Sequence, residues 1–280
     1  MVTEPETVGV APVDGGHLAY ADAGSGEPVV FIHGALAGAF RPLREAPGLA
    51  GRHRLVTWDR RGYGASSAAA TPRTIAEHAA DCLAVLRHIG LERAHIVGHS
   101  YGGAVALQLA LDAPQVVASL TLLEPALPAV LFASAEFGAA MGEVMARVGA
   151  GDTAGAFDAF LAAACGPRYR AALDRALGPE AFATAAKDAA TVFACDLPAL
   201  PSWSFSAEEA QRITAPALVV VGERSGPVFE QVQRTALALL PRAEGAVLPD
   251  ATHLQMIDNP AGLAEILSAF LARHSMTAGR

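Results

Sequence analysis

The pentapeptide Gly98-His99-Ser100-Tyr101-Gly102 constrains the fold of this 280-residue chain more than any other segment. An apolar strand is predicted just before it, at residues 94–98, and an Ala/Val/Leu-rich helix just after it, at residues 101–111. A tight strand-to-helix turn of this kind lifts the serine hydroxyl above the edge of a sheet. The helix N-terminus adds backbone N–H groups that can stabilise a developing oxyanion. The pattern therefore indicates a nucleophile at Ser100.

Two other interpretations of these glycines explain less. A chance match in a chain with 27 glycines does not account for a strand before the motif and a helix after it. A phosphate-binding loop would need either a lysine after the glycines or the spacing G-x-G-x-x-G, and the sequence has neither here. The catalytic interpretation is therefore favoured.

Strands that alternate with helices surround this turn. A hairpin is predicted at residues 8–13 and 17–21, and Gly15 and Gly16 supply the positive φ that its turn needs. Further strands are predicted at residues 28–32, 54–58, 119–123, 217–221 and 246–248. Helices are predicted at residues 74–91, with Thr74 as N-cap, and at residues 260–271. This alternation predicts an α/β fold with a doubly wound, mostly parallel sheet.

More than ninety residues separate the strands at 119–123 and 217–221, and none of them forms a convincing strand. Helices are expected there instead, at residues 135–148, 153–164 and 180–193. We therefore predict a core formed by residues 1–124 and 209–280, with residues 125–208 inserted as a helical cap. Such an insertion could cover a site at the ends of the strands.

Composition excludes several classes of partner. The net charge is −8 and no basic run is longer than Arg60-Arg61, which argues against nucleic acid as a partner.

The three cysteines, Cys82, Cys165 and Cys195, are widely spaced and predicted to be buried free thiols. No secretory signal and no apolar run of membrane-spanning length is visible, so a cytoplasmic protein with no membrane partner is expected. The motif H-E-x-x-H is absent, and neither a metal nor a cofactor is expected.

Over nearly its whole length the chain resembles the α/β-hydrolase family, through the serine turn and three further segments. His33-Gly34, after the third strand, is similar to the family's H-G oxyanion segment. Residues 59–66 resemble its structural loop D-x-R-G-x-G-x-S. The resemblance implies that the backbone N–H groups of Ala35 and Tyr101 form an oxyanion hole. It also implies that His253, on a loop after the last strand, is the general base for Ser100.

The third member of the expected catalytic triad departs from the family pattern. Most members carry an aspartate a few residues after the strand at 217–221, but Ser225 occupies that position here. A serine cannot stabilise an imidazolium by charge, so another carboxylate must orient His253. Glu124, at the end of the strand at 119–123, is the preferred candidate, and Glu223 is the alternative. An acid after this strand resembles one subgroup of haloalkane dehalogenases and the zearalenone-type lactonases.

A serine nucleophile implies acyl transfer on a small-molecule ester or lactone. Residues 125–208 contain five Lys/Arg and nine Asp/Glu, and the excess of acids favours a neutral, largely apolar substrate over a carboxylated one. Their apolar bulk is carried by Leu131, Phe132, Phe137, Met141, Met145, Phe157, Phe160, Phe193, Trp203 and Phe205. The alternatives are a perhydrolase, a C–C bond hydrolase, a cofactor-free lyase, or a hydrolase-like ligand receptor. The sequence does not determine an oligomeric state.

Overall fold

The computed structural model describes residues 6–68 and 71–276. Its centre is a sheet of eight strands in the order β1-β2-β4-β3-β5-β6-β7-β8. The strands are β1 (Thr7–Val13), β2 (Gly16–Ala23), β3 (Glu27–Ile32), β4 (His53–Trp58), β5 (Ala94–His99), β6 (Val117–Leu123), β7 (Ala217–Gly222) and β8 (Ala243–Leu248). Strands β1 and β2 run antiparallel to their neighbours, and all other pairs are parallel. The predicted doubly wound, mostly parallel sheet is therefore confirmed.

The central strands are buried on both faces, as their continuous apolar sequences predict. Every residue of β5, β6 and β7 is buried. Along β3, Val30 and Ile32 point into one apolar cluster, whereas Val29 and Phe31 point into another on the opposite face. This alternation is the two-residue period of a strand covered by helices on both sides.

The helices are α1 (Arg41–Glu45), α2 (Ile75–His88), α3 (Tyr101–Asp112), α4 (Pro128–Leu131), α5 (Ala135–Gly149), α6 (Thr153–Cys165), α7 (Tyr169–Leu177), α8 (Ala181–Ala186), α9 (Ala189–Thr191), α10 (Leu197–Ala199), α11 (Ala207–Arg212), α12 (Pro227–Leu239), α13 (Gln255–Asp258) and α14 (Pro260–Arg273). Short 3₁₀ turns lie at Ala37–Phe40, Pro114–Val116 and Leu200–Ser202. Helices α2, α3 and α12 pack on one face of the sheet, and α1, α13 and α14 pack on the other.

Local signals in the sequence act as expected at two places. Asp14 and Gly15 connect β1 to β2, whose pairing begins at Val13 and Gly16. Thr74 caps α2 by accepting a hydrogen bond from the backbone N–H of Glu77, whose side chain accepts one from Thr74 in return. This capping box satisfies backbone donors that the first helical turn leaves open.

Residues 125–208 contain helices and turns but no strand. The division into a core and a cap stays a prediction, and we use "cap" below for residues 125–208. Residues 180–193 are largely helical, as expected, but they divide into α8, α9 and the start of a π-helical turn at Val192–Asp196. The wider turn accompanies a buried ion pair of Asp196 with Arg60, which lies outside the cap.

Two further observations concern the whole described chain. Cys82, Cys165 and Cys195 are all buried free thiols, as predicted. In residues 6–68 and 71–276, we find no helix that combines the length and the apolar character needed to cross a membrane.

Candidate active site

Ser100 lies in the sharp turn between β5 and α3, in a conformation that L-residues rarely adopt (φ 52°, ψ −120°). Its backbone N–H donates to the carbonyl of Leu123 (3.0 Å), and its carbonyl accepts from the N–H of Ala126 (2.9 Å). The turn also needs its glycines, since a Cβ on Gly98 would lie 2.5 Å from the carbonyl oxygen of Gly102. The last residue of β6 and a residue three positions after it thus hold the strained serine through its backbone N–H and its carbonyl.

The side chains of His253 and Glu124 form a buried hydrogen-bonded pair. Nδ1 of His253 lies 2.5 Å from Oε2 of Glu124, and the backbone N–H of Gly222 donates to Oε1 of the same carboxylate (2.8 Å). Glu124 directly follows β6 and is itself held in a left-handed conformation (φ 44°). Because a carboxylate only accepts, the shared proton belongs to Nδ1, and Nε2 is left as the nitrogen that can take a proton.

Ring contacts fix the orientation of His253 further. Its imidazole stacks on Phe229, with ring centroids 4.2 Å apart and planes 16° apart. On another side it meets the ring of His99 at 4.6 Å, and Nε2 of His99 donates to the carbonyl of His253 (2.8 Å). Burial, with a further contribution from His253, lowers the pKa of His99 well below its usual value. His99 is therefore a neutral support for the loop that carries His253.

The structure separates the two acid candidates of the sequence. Oε2 of Glu223 accepts a hydrogen bond from the backbone N–H of Asp250 (3.0 Å) at the surface. Asp250 itself pairs with Arg224. The hydroxyl of Ser225, at the family's usual acid position, is buried and has no hydrogen-bond partner in the described part of the chain. Glu124 is thus the carboxylate that the structure brings to His253.

The segment expected to form the oxyanion hole lies against the serine turn. Strand β3 neighbours β5 in the sheet, so their carboxyl ends meet at the same edge. The contact is close, because a Cβ on Gly34 would lie 3.0 Å from the Cβ of Ser100. Ala35 and Tyr101 both line the same cavity as Ser100. Strands β4 and β5 lie on opposite sides of β3, so the strand order reverses between β3 and β5. Doubly wound sheets bind their ligands at the carboxyl ends of the strands beside such a reversal.

One cavity brings all five predicted site residues together. It encloses about 720 Å³ free of protein atoms, including the part that opens to solvent. Its lining contains Ala35, Leu36, His99, Ser100, Tyr101, Glu124, Ala126, Leu131, Phe137, Phe160, Leu161, Ala164, Cys165, Val192, Asp196, Leu197, Leu200, Phe229, His253 and Leu254. Apart from the site residues, His99, Cys165 and Asp196, the lining residues are apolar, and eleven of the twenty lining residues belong to the cap. Such a pocket suits a small apolar ligand.

Among the bulky cap residues named from the sequence, only some face this cavity. Leu131, Phe137 and Phe160 line it, whereas Phe132 and Met145 are about half exposed at the surface. Periodicity predicts which residues are apolar but not which of them reach a particular cavity.

Two polar residues of this cavity were missed from the sequence. Cys165 lines it from the end of α6, and burial, with the Glu124 carboxylate nearby, raises the pKa of its thiol well above the usual value. The thiol is therefore protonated and a poor nucleophile. Asp196 lines the cavity as well and pairs with the fully buried Arg60. A lone carboxylate between Val192 and Ala199, in an apolar stretch, is the sequence signal that could have found it.

No group of three or more His, Cys, Asp or Glu side chains within residues 6–68 and 71–276 is arranged so that it could hold a metal ion. The side chains at this site are instead suited to proton transfer and nucleophilic attack, with a hydroxyl, an imidazole and a carboxylate around one cavity.

Known proteins resemble this chain in sequence and in structure. A family model described as alpha/beta hydrolase fold matches residues 27–260. A putative carbamate hydrolase of Azorhizobium caulinodans is 42% identical over 108 residues, which are 38% of this chain and 40% of that protein. The acetyltransferase component of the acetoin cleaving system of Cupriavidus necator is 42% identical over 116 residues, 41% of this chain and 31% of that protein. The chain thus matches less than half the length of these relatives.

A solved structure gives a longer match. The structure of an N-acyl homoserine lactone degrading enzyme aligns with 94% of this chain and 100% of its own, with 27% identity and a TM-score of 0.75.

Proposed function

The chain belongs to the alpha/beta hydrolase fold family, and from that premise we propose that it is a serine hydrolase that cleaves a carboxylic ester or lactone. The reaction passes through an acyl-enzyme on Ser100. The observation that carries this proposal is the Glu124–His253 hydrogen bond in the same cavity as the strained serine. An imidazole oriented by a buried carboxylate is what a serine hydroxyl needs to become a nucleophile.

The first half of the reaction forms the acyl-enzyme. Oγ of Ser100 attacks the carbonyl carbon of the substrate while Nε2 of His253 takes the hydroxyl proton. The N–H groups of Ala35 and Tyr101 bind the negative oxygen of the tetrahedral intermediate. The Glu124 carboxylate stabilises the imidazolium, which then gives its proton to the departing alkoxide. Collapse of the intermediate breaks the acyl–oxygen bond and leaves the acyl group on Ser100.

The second half uses the same groups with water. His253 removes a proton from a water molecule, which attacks the acyl carbon, and the same two N–H groups hold the new oxyanion. The proton then returns to Ser100, which releases the carboxylic acid. A lactone differs only in that its alcohol stays attached to the acyl group, so that the product is a hydroxy acid.

The cavity supports a neutral, largely apolar substrate. Burying a charged carboxylate among apolar side chains without a cationic partner is costly. Among the described residues, the arginine that forms a salt bridge with a cavity-lining carboxylate is Arg60, and its partner is Asp196. The structural match to an N-acyl homoserine lactone degrading enzyme supports a lactone or ester of this character.

The test is turnover of p-nitrophenyl butyrate combined with intact-protein mass spectrometry after rapid quenching. We expect a butyryl adduct on Ser100 in the wild type and neither adduct nor turnover in Ser100→Ala. Ser225→Ala is the matched control, and it should keep wild-type turnover because its hydroxyl has no hydrogen-bond partner among the described residues. Turnover by Ser100→Ala would contradict the proposal. Labelling of Ser100 by a fluorophosphonate without turnover of any ester or lactone would favour a ligand receptor instead.

A further inference from the structure

Arg60 contacts the backbone of the segment that leads to Ala35. It lies just after β4, and its side chain is fully buried. Nε donates to the carbonyl of His33 (3.1 Å), and Nη2 donates to the carbonyl of Gly34 (3.0 Å). The carbonyl of Gly34 and the N–H of Ala35 belong to the same peptide group. A guanidinium that holds this carbonyl therefore also fixes where the N–H of Ala35 points.

The same guanidinium contacts the residue that carries the other oxyanion donor. Its central carbon lies 4.5 Å from the ring centroid of Tyr101. The Tyr101 hydroxyl is buried and has no hydrogen-bond partner among the described residues. Packing on Arg60, together with an edge contact to His78, therefore holds this ring in place of a hydrogen bond. One side chain thus contacts both segments that contribute to the oxyanion hole.

The cap supplies the counter-charge for Arg60. Asp196 accepts from Nη1 at Oδ1 (3.0 Å) and from Nη2 at Oδ2 (2.6 Å), and the hydroxyl of Tyr63 donates to Oδ2 (2.6 Å). A buried arginine without a partner is strongly unfavourable, so the position of Arg60 depends on Asp196. Asp196 also lines the substrate cavity. The pair therefore connects the cap to the oxyanion segment.

A neighbouring ion pair shows what a purely structural role would look like. Arg61 is also buried and makes a two-pronged pair with Asp81, through Nε (2.7 Å) and Nη2 (3.0 Å). Nη2 of Arg61 also donates to the carbonyl of Asp14 in the β1–β2 turn (2.8 Å). Arg60 and Arg61 are thus adjacent and buried, and each makes a two-pronged pair with an aspartate, Arg60 through Nη1 and Nη2 and Arg61 through Nε and Nη2. Of the two, Arg60 is the one that donates to the carbonyls of His33 and Gly34.

We propose that Arg60 is a positioning residue that sets the two oxyanion donors, and that Asp196 makes this setting depend on the cap. This inference rests on the proposed function. It adds that transition-state stabilisation, rather than substrate binding, requires the Arg60–Asp196 pair. A misplacement of about 1 Å in such a site costs up to about a hundredfold in rate.

The experiment compares Arg60→Lys with Arg61→Lys, which make the same chemical change at adjacent paired positions. Lysine keeps the positive charge but loses the planar fork that reaches two carbonyls and a carboxylate at once. The measurements are kcat, KM, thermal midpoint, and the Ki of an apolar trifluoromethyl ketone, whose adduct with Ser100 carries an oxyanion. Asp196→Asn is the second variant, in case Arg60→Lys does not fold.

For Arg60→Lys we expect kcat to fall about ten- to a hundredfold with KM little changed, and the ketone Ki to rise in parallel. Asp196→Asn should lower kcat and raise the ketone Ki by smaller factors. Arg61→Lys should keep the wild-type kcat and ketone Ki, although its thermal midpoint falls by a similar amount. Equal kcat in Arg60→Lys and Arg61→Lys, or a loss confined to KM, would overturn the inference while leaving the proposed function intact. If Ser100→Ala stays active, or the wild type turns over no ester or lactone, the proposed function falls and this inference with it.

Discussion

His253 takes its carboxylate partner from the end of β6, since its Nδ1 lies 2.5 Å from Oε2 of Glu124. The end of the neighbouring strand β7 contributes only a backbone N–H, that of Gly222, which binds Oε1 (2.8 Å). The carboxylate thus bridges the imidazole and the adjacent strand. Both of its oxygens have partners, which is the condition for a buried charge to be retained in one position.

Shortening this side chain tests the bridge. Glu124→Asp keeps the charge but removes one methylene, so a single carboxylate can no longer reach both His253 and Gly222 from β6. We expect kcat/KM on p-nitrophenyl butyrate to fall by about ten- to a hundredfold. Steady-state kinetics measure this, and circular dichroism serves as the folding control. Wild-type activity in Glu124→Asp would mean that the length of the glutamate has no role.

The cap wall of the cavity should set the size of the acyl group. Ala164 of α6 lines the cavity, whereas Ala163 on the same helix is exposed. Ala164→Trp should lower kcat/KM for p-nitrophenyl octanoate by at least about tenfold, because excluding two methylenes from an apolar pocket costs about 1.6 kcal/mol. The acetate ester should lose much less. Ala163→Trp is the control and should not change the ratio of kcat/KM for the octanoate ester to kcat/KM for the acetate ester. If that ratio is also unchanged in Ala164→Trp, α6 does not line the acyl pocket.

Three buried neutral histidines predict a loss of stability in mild acid. Burial is the main cause that lowers the pKa values of His33, His78 and His99 well below the usual value. For His33 the hydrogen bonds agree, because Nε2 accepts from the N–H of Arg60 (2.9 Å) and so must lack a proton. Each histidine binds a proton more readily in the unfolded chain. The stabilisation is therefore full above the unfolded pKa and declines as the pH falls below about 6.5.

Urea unfolding between pH 7 and pH 5 measures the expected decline of the free energy of unfolding. Each such histidine contributes up to about 1.4 kcal/mol per pH unit, and three together about 4 kcal/mol per unit. His78→Phe should reduce this slope by about one third, since both ring nitrogens of His78 lack hydrogen-bond partners among the described residues. This account would be contradicted if the free energy of unfolding of the wild type did not change with pH in this range, or if it changed as steeply in His78→Phe as in the wild type.

Much of the fold could be predicted because the apolar runs, the serine turn and the family resemblance all indicate the same sheet. The strands β3, β5, β6 and β7 are continuous apolar runs that only a sheet covered on both faces can bury, and each is confirmed within one or two residues at its ends. The serine turn is identified by the pattern G-x-S-x-G between a strand and a helix, and the structure gives Ser100 the positive φ that such a turn requires. The relationship to the α/β-hydrolase family, inferred from these segments, is confirmed by the family match over residues 27–260.

The cap and its contacts could not be predicted in the same detail. Residues 180–193 are rich in alanine, which is compatible with helix throughout, so the sequence does not show where α8 ends or where the π-helical turn begins. The partner of Arg60 lies 136 positions away, at Asp196. The resemblance of residues 59–66 to the family's structural loop does not indicate this pairing, because a pairing at that separation depends on how the cap folds back.

The central claim is that Glu124, rather than Glu223, orients His253 for attack by Ser100. The most direct test is kcat/KM across pH on a p-nitrophenyl ester for wild type, Glu124→Gln and Glu223→Gln, two variants that each remove one carboxylate charge. Loss of the orienting acid should lower kcat/KM by up to about ten-thousandfold. We predict that collapse in Glu124→Gln and near wild-type activity in Glu223→Gln. The reverse result, with Glu124→Gln active and Glu223→Gln inactive, would contradict the account.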